Sequence, residues 1–244
     1  MKQTPLIFQD FSIAGLRKQW EYQQYQAGKL PASTEFYTIN GFDAIGCKTE
    51  TRRTRGLDKI NENPNEWRLM THSKPFDIKP DEYFFVKNEP YTEVLIKCPY
   101  GKIGDEIWVK ESYKPLVTGG PKGFNLYDYK ADVGSKGMAD DIINGWKSPM
   151  FMPKAASRIK LEITGISIER LRDITEEGAI REGVYQLESG MWLSNGGNSI
   201  KDTCKGSDPL YAYKMVWWLL HGQESWNKSP WVWVIKFTVK EFKL

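Results

Sequence analysis

The C-terminal segment of the chain constrains the fold more than any other feature. From residue 231 to residue 239, side chains alternate between an aromatic-rich face and a second, mostly apolar face. The first face holds Trp231, Trp233, Ile235, Phe237 and Val239, and the second holds Val232, Val234, Lys236 and Thr238. Alternation with a period of two is typical of a β-strand, and a strand that is apolar on both faces is buried on both. The pattern therefore predicts a long strand in the middle of a sheet.

A second long strand is predicted over residues 157–169. Apolar and charged side chains alternate from Ile159 to Ile163, and the pattern resumes at Ile166 after Gly165. A glycine that interrupts an alternating pattern is typical of a β-bulge or a bend. We therefore expect this strand to be bent at Gly165.

The remaining elements are short. Strands are predicted at 5–8, 82–87, 94–98 and 106–110, and helices at 12–28, 175–183 and 209–222. Ser12, Thr175 and Asp208 are in position to cap the three helices. The apolar stripe of the last helix is predicted to be Leu210, Tyr213, Trp217 and Leu220. The proline- and glycine-rich stretches 54–93 and 112–150 are expected to be largely irregular.

This order of elements favours a mostly β (α+β) fold, because no repeating strand–helix units occur. We expect a small, mostly antiparallel β-barrel with peripheral helices. Residues 1–244 would form a single domain with large loop insertions. The insertions are predicted at about 10–45, 57–93, 112–150 and 186–208.

The composition is that of a globular protein without a membrane segment. Hydrophobic residues make up 40% of the 244 residues and charged residues 27%, unlike disordered chains. The longest apolar runs, at 215–220 and 231–235, are far shorter than the roughly 20 residues of a membrane helix. Asp10 interrupts the N-terminal segment too early for a signal peptide. We therefore expect a cytoplasmic protein with no membrane partner.

Cysteine and histidine are too scarce for several kinds of site. The three cysteines are scattered and the histidines number two, His72 and His221. These counts argue against a disulfide scaffold, structural zinc or a three-histidine metal site. Any chemistry is expected to use Lys, Thr, Asp, Glu or Tyr, with no metal and no cofactor.

Positive charge is concentrated in residues 48–59, KTETRRTRGLDK. This segment contains five basic and two acidic side chains, an excess of +3 that equals the net charge of the whole chain. A concentrated cationic segment is typical of proteins that bind anions, most often nucleic acid. The alternative is a solvated edge with scattered salt bridges.

Four segments, in the order in which they occur, resemble the ASCH-domain family. They are KTETRR, CPYGKIGDEIWVKE, MPKAASRIKLEITGISIERLRDITEEGAIREGV and SWNKSPWVWVIKFTV. The likeness covers about half of the chain and is strongest to enlarged members found in bacteriophages and prophages. The family is PUA-like, a small β-barrel related to RNA-binding modules. The resemblance therefore implies a cytoplasmic protein, encoded by a phage or by its bacterial host. Its implied partner is a nucleoside or RNA, and single-stranded nucleic acid is included among the implied partners.

One bacterial branch of this family hydrolyses N(4)-acetylcytidine to cytidine, and its catalytic residue types recur in this chain. The lysine and threonine of its K-x-x-T segment match Lys48 and Thr51. The glutamate of the later helix, within T-E-x-x-A-x-x-E, matches Glu182. Cys47 stands where the family usually has arginine. The resemblance implies an amidohydrolase with Lys48 as base, Thr51 as nucleophile, and Glu182 as acid or orienting group.

Amide hydrolysis by these residues sets two conditions on the structure. A free lysine has a pKa of about 10.4, so Lys48 is a base near pH 7 only if burial or neighbouring cations lower its pKa. On a straight strand Lys48 and Thr51 point to opposite faces, so they converge only if the chain turns after Gly46. The alternatives are a solvated loop lysine, an ordinary strand threonine and, for Glu182, a surface residue of a helix.

Six further residues are candidates for substrate or nucleic-acid binding: Arg52, Arg53, Arg55, Glu111, Tyr113 and Trp146. Arginines hold phosphate or a developing oxyanion, and aromatic rings stack on bases. The alternative for Tyr113 and Trp146 is packing in a core or anchoring of a loop. Glu111 is either a carboxylate at the barrel rim or a salt-bridge partner. Trp217, Trp231 and Trp233 are predicted to lie in the core.

Three functions remain open at this point. The first is hydrolysis of an N-acylated cytosine nucleoside, indicated by Lys48, Thr51 and Glu182 together. The second is a non-catalytic, PUA-like RNA-binding module. The third is a phage structural or host-interaction protein that uses its aromatic insertions as a partner surface.

Overall fold

The computed structural model describes residues 5–7, 10–27, 48–70, 81–117, 126–133, 145–187, 189–194 and 204–243. In chain order, the strands described are β1 (Pro5–Ile7), β2 (Glu50–Arg53), β3 (Trp67–Leu69), β4 (Glu82–Asn88), β5 (Tyr91–Lys97), β6 (Glu106–Lys110), β7 (Tyr113–Val117), β8 (Leu126–Tyr129), β9 (Ile159–Arg170), β10 (Tyr185–Gln186), β11 (Trp192–Ser194), β12 (Cys204–Gly206) and β13 (Trp231–Phe242). The α-helices are α1 (Asp10–Gln26), α2 (Asp58–Asn61), α3 (Lys130–Val133), α4 (Glu176–Arg181), α5 (Pro209–His221) and α6 (Gln223–Lys228). Short 3-10 turns occupy Pro64–Glu66, Pro149–Phe151, Lys154–Ala156 and Leu171–Asp173.

The main sheet has five strands in the order β1-β6-β9-β13-β2. β13 lies between β9 and β2, which confirms the central position predicted from its two apolar faces. β9 and β13 pair antiparallel from Arg170 opposite Trp231 to Ile159 opposite Phe242. Their register shifts between Ile163 and Gly165, where Thr164 has no partner in β13, so the predicted bulge in β9 is also confirmed.

The main sheet curls into half of a barrel. The mostly β fold is therefore confirmed. β1, which pairs parallel with β6, is one edge of the sheet, and β2 is the other. In the described part of the chain no pairing joins these edges, so these strands form an open curled sheet, and the barrel itself stays a prediction.

The described residues also form three small sheets, β3-β4-β5, β7-β8 and β10-β11-β12. β4 and β5 confirm the strands predicted at 82–87 and 94–98, whereas β3, β7 and β8 lie in segments that were expected to be irregular. The prolines that favoured a loop over 54–93 fall between strands: Pro64 opens a 3-10 turn, and Pro90 lies in the turn from β4 to β5. Trp67 and Phe85 of these strands are buried in the main core, so the segment from β3 to β5 covers the half-barrel.

Two hydrophobic clusters lie on opposite faces of β13. The main core joins the sheet to α1, α2 and the β3-β4-β5 sheet, and its fully buried members include Leu16, Leu57, Ile60, Phe85, Ile107, Trp233 and Phe237. The second cluster lies beneath α4 and α5 and contains Leu171, Ile174, Ala179, Val184, Ala212, Tyr213, Trp217 and Val232. The predicted core positions of Trp217 and Trp233 are confirmed, and Trp231 packs against the main core while partly buried.

Side-chain caps begin two of the helices as predicted. The Thr175 hydroxyl accepts a hydrogen bond from the backbone N–H of Gly178 at 3.1 Å. The Asp208 carboxylate accepts one from the backbone N–H of Tyr211 at 2.7 Å. These two bonds fix where α4 and α5 begin.

Two details of the helices differ from expectation. α1 begins at Asp10, so Ser12 lies inside the helix and is not its cap. Leu220 is 41% exposed, because the buried face of α5 runs through Ala212, Tyr213, Val216 and Trp217 instead.

Among the described residues no helix is both long enough and apolar enough to cross a membrane. Gly28, Gly46, Cys47 and His72 lie outside the described residues, as do parts of all four predicted insertions.

Candidate active site at the edge of β2

Lys48 and Glu182 form a buried ion pair at the outer edge of β2. The Lys48 amine donates to Glu182 Oε2 at 2.5 Å and to the Glu182 carbonyl oxygen at 2.8 Å. Lys48 is 5% exposed, and the side chain of Glu182 is 7% exposed. The structure thus brings together two of the three residues of the catalytic hypothesis, across 134 positions of the chain.

The same carboxylate also binds Arg52. Glu182 Oε1 accepts a hydrogen bond from the backbone N–H of Arg52 at 2.5 Å, and Nη1 of the Arg52 guanidinium lies 3.4 Å from it. Because β2 is an edge strand of the sheet that the structure describes, its outward N–H groups have no neighbouring strand in that sheet to bind. Glu182 satisfies one of them and in doing so fixes Lys48 against the strand.

Further ion pairs extend this contact into a network that we name the edge cluster: Lys48, Glu50, Arg52, Glu169, Arg181 and Glu182. Arg52 Nε donates to Glu169 at 2.7 Å, and Arg181 Nε donates to Glu50 Oε2 at 2.8 Å. Arg52 Nη1 lies 2.9 Å from Glu50 Oε1, but that oxygen accepts no hydrogen bond, so the contact is an ion pair without hydrogen-bond geometry. Three cations face three carboxylates, and the cluster is neutral overall.

Two glycines allow α4 to lie directly on this network. A Cβ atom at Gly178 would lie 2.8 Å from Nη2 of Arg52, and Gly183 packs against the Lys48 side chain. Gly183 has φ of +103°, a conformation that glycine adopts at helix ends without strain. The helix therefore stops where Glu182, its C-cap residue, meets Lys48. Negative charge is unfavourable at a helix C-terminus, and the two cations at Glu182 offset that cost.

Burial and neighbouring charges shift the pKa values of both partners. Burial lowers the pKa of the Lys48 amine, and although Glu182 opposes this shift, the result remains below the ordinary value. Burial raises the pKa of the Glu182 carboxyl, but Lys48 and Arg52 outweigh it and hold that pKa below its usual range. Of the two conditions set on the structure, the first is a lowered pKa of Lys48, and this geometry is consistent with it.

Thr51 lies within β2 and is buried. It is directly opposite Ile235 of β13, and opposed residues of an antiparallel pair share a face. Ile235 belongs to the main core, whereas the neighbouring Arg52 lies against α4. Alternation therefore directs the Thr51 side chain to the main-core face, away from the face of the edge cluster. The hydrogen bonds of the Lys48 amine given above go to Glu182 and not to Thr51.

The arginines of the charged segment divide between the interior and the solvent. Arg52 is buried in the edge cluster, Arg53 is half-buried, and Arg55 is exposed. The Arg55 carbonyl oxygen accepts a hydrogen bond from Trp233 Nε1 at 3.1 Å. Lys59 is also exposed. The cationic surface of this segment is therefore formed by Arg55 and Lys59, with Arg53 at its margin.

The other three candidates lie with a different part of the molecule. Glu111 is fully buried and makes a two-bond ion pair with Arg158, so the salt-bridge alternative describes it. Tyr113 is buried in a small cluster with Met152, and its hydroxyl donates to a backbone carbonyl. Trp146 is partly buried, and the residue that follows it, Lys147, pairs with Tyr113. None of the contacts described for these residues involves the edge cluster.

Four neighbours of the Lys48–Glu182 pair were not singled out from the sequence: Glu50, Glu169, Arg181 and Tyr213. The Tyr213 ring lies 5.9 Å from the Arg52 guanidinium. Burial and the negative charge of Glu182 raise the pKa of this tyrosine well above its ordinary value. The alternation of charge in KTETRR could have shown that Glu50 and Arg52 share a face. Nothing local could have shown their partners, which lie more than 100 positions away.

Among the described residues, no group of three or more His, Cys, Asp or Glu side chains is arranged to hold a metal ion. Comparisons of the chain with protein-family models, with curated proteins and with solved structures found no match.

Proposed function

We propose that this chain is an ASCH-type, PUA-like protein that recognises an N-acylated cytosine nucleoside, free or within RNA, and hydrolyses its amide bond. The observation that supports this most strongly is the buried contact between Lys48 and Glu182. This contact joins Lys48 and Glu182, the two residues to which the motif resemblance gives proton-transfer roles. The curled main sheet is compatible with the barrel of that family.

The Lys48–Glu182 contact suits proton transfer because either group can hold the shared proton. In the ion pair the proton is on the amine, and its movement across the 2.5 Å contact leaves a neutral amine and a neutral acid. Burial penalises charge and lowers the pKa of Lys48, whereas Lys48 and Arg52 hold the pKa of Glu182 below its usual range, so the proton rests on the amine before it moves. A neutral amine is a base and a neutral carboxyl is a proton donor, so one proton shift prepares both catalytic groups.

Hydrolysis then takes two steps. In the first, the Thr51 oxygen bonds to the acyl carbon, its proton passes to Lys48, and the carbon–nitrogen bond breaks as Glu182 protonates the leaving amine. In the second, water attacks the acyl ester, releases the carboxylic acid and restores the threonine. Because alternation directs Thr51 to the main-core face, the acyl group must lie across the edge of β2 to reach all three residues.

The test is the release of acid from N(4)-acetylcytidine and a panel of other N-acylated nucleosides by the purified protein. We expect wild-type activity and a loss of about 10²- to 10⁴-fold in Lys48→Arg, the usual effect of a general base. Arginine keeps the positive charge of the buried pair but does not become neutral, so this variant separates basicity from charge. Glu182→Gln and Thr51→Val are expected to lose activity in the same range, and Thr51→Ser to retain part of it.

Lys59→Arg is the matched control, because Lys59 is an exposed lysine of the same charged segment. Its rate is expected to equal that of the wild type. Circular dichroism confirms that each variant is folded. A wild-type protein that releases no acid from any of these substrates, or an unchanged rate in folded Lys48→Arg, would refute the proposed reaction.

A non-catalytic RNA-binding protein is the second candidate, and the exposure of Arg55 and Lys59 favours it. Contacts with phosphates make affinity fall as the salt concentration rises. Salt-dependent binding of single-stranded RNA by a wild-type protein without hydrolytic activity would support this candidate over the first.

A further inference from the structure

A polar cleft lies where the end of β9 meets α6 and the start of β13. Its volume is about 500 Å³, and its lining includes Asn65, Arg170, Arg172, Asp173, Asn227 and Lys228. Sites for small ligands typically span about 300–1,000 Å³. Every side chain that lines this cleft is polar, so a ligand that fits it must be recognised through charge and hydrogen bonds.

Arg170 holds the walls of the cleft together. Its guanidinium donates to the carbonyl oxygens of Ser229 at 2.6 Å, Pro64 at 3.0 Å and Lys228 at 3.1 Å. It also donates to the side-chain oxygen of Asn65 at 2.7 Å. All four acceptors are uncharged, so these bonds fix the guanidinium without neutralising it. The cleft is therefore built around a rigid positive charge.

Two further cations at the rim have no carboxylate partner in the described part of the chain. The side chains of Arg172 and Lys228 are exposed, and neither forms an ion pair with any residue that the structure describes. Asp173 is the single carboxylate of the lining, so the cleft has a net positive charge. Ser229 fixes the position of Arg172, because its hydroxyl accepts a hydrogen bond from the Arg172 backbone N–H at 3.1 Å.

We propose that this cleft binds the phosphate group of a nucleotide or of a nucleic-acid strand, with Arg172 and Lys228 contacting the phosphate oxygens. Arginine and lysine are the side chains that bind phosphate most strongly, and the Asn65 and Asn227 amides supply additional donors. The choice of a nucleotide phosphate over other anions rests on the proposed function, which requires a cytosine nucleoside at the edge cluster.

The register of the main sheet places the cleft at the same end as the edge cluster. Arg170 lies opposite Trp231, and Arg52 of the edge cluster lies opposite Val234, so about 10 Å of β13 separates the two levels. Glu169, next to Arg170 in the chain, belongs to the edge cluster. Neighbouring residues of a strand point to opposite faces, so a nucleotide or a short strand whose base lies at the edge cluster passes around this end of the sheet to place a phosphate in the cleft.

The test is equilibrium binding by calorimetry of cytidine, CMP and a six-nucleotide single-stranded RNA, each at 50 and 200 mM salt. The phosphate-bearing ligands are expected to bind at least about 10-fold more tightly than cytidine, with an affinity that falls with salt. The double variant Arg172→Gln, Lys228→Gln is expected to weaken their binding about 10-fold or more. It should also reduce the slope of log affinity against log salt by roughly 0.7 for each phosphate contact removed.

The matched control is Lys102→Gln, Lys154→Gln, which removes the same charge from exposed positions outside the cleft. Its binding is expected to stay within about twofold of the wild type, because screened surface charges at a distance contribute little. Equal affinity for CMP and RNA identifies a free nucleotide as the ligand, and tighter binding of RNA identifies a strand; both support the cleft. Three results overturn it: cytidine binding as tightly as CMP, full affinity in the Arg172, Lys228 variant, or an equal loss in the control.

These measurements need no turnover, so the two proposals can fail separately. Phosphate binding that depends on Arg172 and Lys228, in a protein that hydrolyses nothing, refutes the reaction and keeps the cleft. Hydrolysis of a neutral N-acylated nucleoside without such binding refutes the cleft and keeps the reaction.

Discussion

Buried ion networks occur near both ends of β9, and they differ in whether a lysine contributes to the positive charge. At the start of the strand, Arg158 donates two hydrogen bonds of 2.9 Å to Glu111 and two more to Asp132. We name these three residues the Arg158 network. Near the other end lies the edge cluster, in which Glu182 binds a lysine amine. More than about 30 Å of strand separates the two networks.

This difference separates a structural network from one suited to chemistry. Arginine stays protonated in proteins, so the charge of Arg158 is fixed. Its planar guanidinium donates two hydrogen bonds to the single carboxylate of Glu111 and stacks 4.0 Å from the centre of the Tyr129 ring. Lysine can lose its proton, and burial lowers the pKa of Lys48. Of the two networks, the edge cluster is thus the one that can exchange a proton with a substrate.

The largest effect on stability is expected from breaking the Arg158 network. Glu111→Ala leaves a buried guanidinium with Asp132, which is partly exposed, as its remaining partner. Removing one partner of a buried ion pair typically costs about 3–5 kcal/mol of unfolding free energy. Urea denaturation followed by circular dichroism measures this loss.

Glu241→Ala is the control for that variant. Glu241 also forms ion pairs, with Lys160 and Lys243, but all three side chains are in contact with solvent. Exposed pairs contribute less than about 1 kcal/mol, so its unfolding free energy should hardly change. Equal losses in the two variants would show that burial does not distinguish the Arg158 network from a surface contact.

The parts of the fold that could be predicted are those whose signal is local. The alternation from Trp231 to Val239 and the interruption at Gly165 identify β13 and β9, because neighbouring residues alone determine a period of two. The strands β4 and β5 are also predicted locally, at 82–87 and 94–98, but β3 and the position of the β3-β4-β5 sheet are not. That position is fixed by the packing of Trp67 and Phe85 against the main core, a contact between residues far apart in the chain.

The two networks are expected to differ in how their contribution to the unfolding free energy depends on pH. The pKa of Lys48 lies below its ordinary value of 10.5, so between the folded value and 10.5 the unfolded chain binds more protons than the folded protein. The contribution of Lys48 to the unfolding free energy therefore rises with pH in this window, by at most about 1.4 kcal/mol per pH unit. Lys48→Met removes this contribution. The stability of the wild type relative to Lys48→Met is expected to increase as the pH approaches 10.5.

Urea denaturation of both proteins at pH values from 7 to 10.5 measures this difference. Glu111→Ala provides the comparison, because the Arg158 network contains no lysine and its deficit should stay constant over the same range. A difference between wild type and Lys48→Met that does not change with pH would mean that Lys48 is no more ready to lose its proton than an exposed lysine.

The candidate site was predictable only through the motif resemblance. Lys48 and Glu182 are 134 positions apart, and composition or periodicity alone would leave both on the surface. The contribution of Glu50 and Glu169 was not predicted, since alternating charge in an edge strand is typical of a solvent-exposed strand. β2 is buried because α4 lies across it, and this close approach of the helix depends on the absence of a side chain at Gly178.

The smallest effect is therefore expected at Gly178. In an exposed helix, Gly→Ala stabilises a protein by about 1 kcal/mol. Here the new methyl group would lie 2.8 Å from Nη2 of Arg52 and 3.1 Å from Cγ1 of Ile174, and overpacking of this kind costs about 1–3 kcal/mol. Since ion pairs hold Arg52 in place, we expect Gly178→Ala to lower the unfolding free energy by a net ~1 kcal/mol.

Glu177→Ala, at the exposed neighbouring position of α4, is the control and should change the unfolding free energy by less than about 0.5 kcal/mol. If Gly178→Ala were instead stabilising, the Arg52 guanidinium would have to move aside at little cost. The edge cluster would then be a loose set of charges and not a rigid frame. In that case Glu182 could not hold the Lys48 amine at a fixed distance from a reacting amide, although the Arg158 network would remain unaffected.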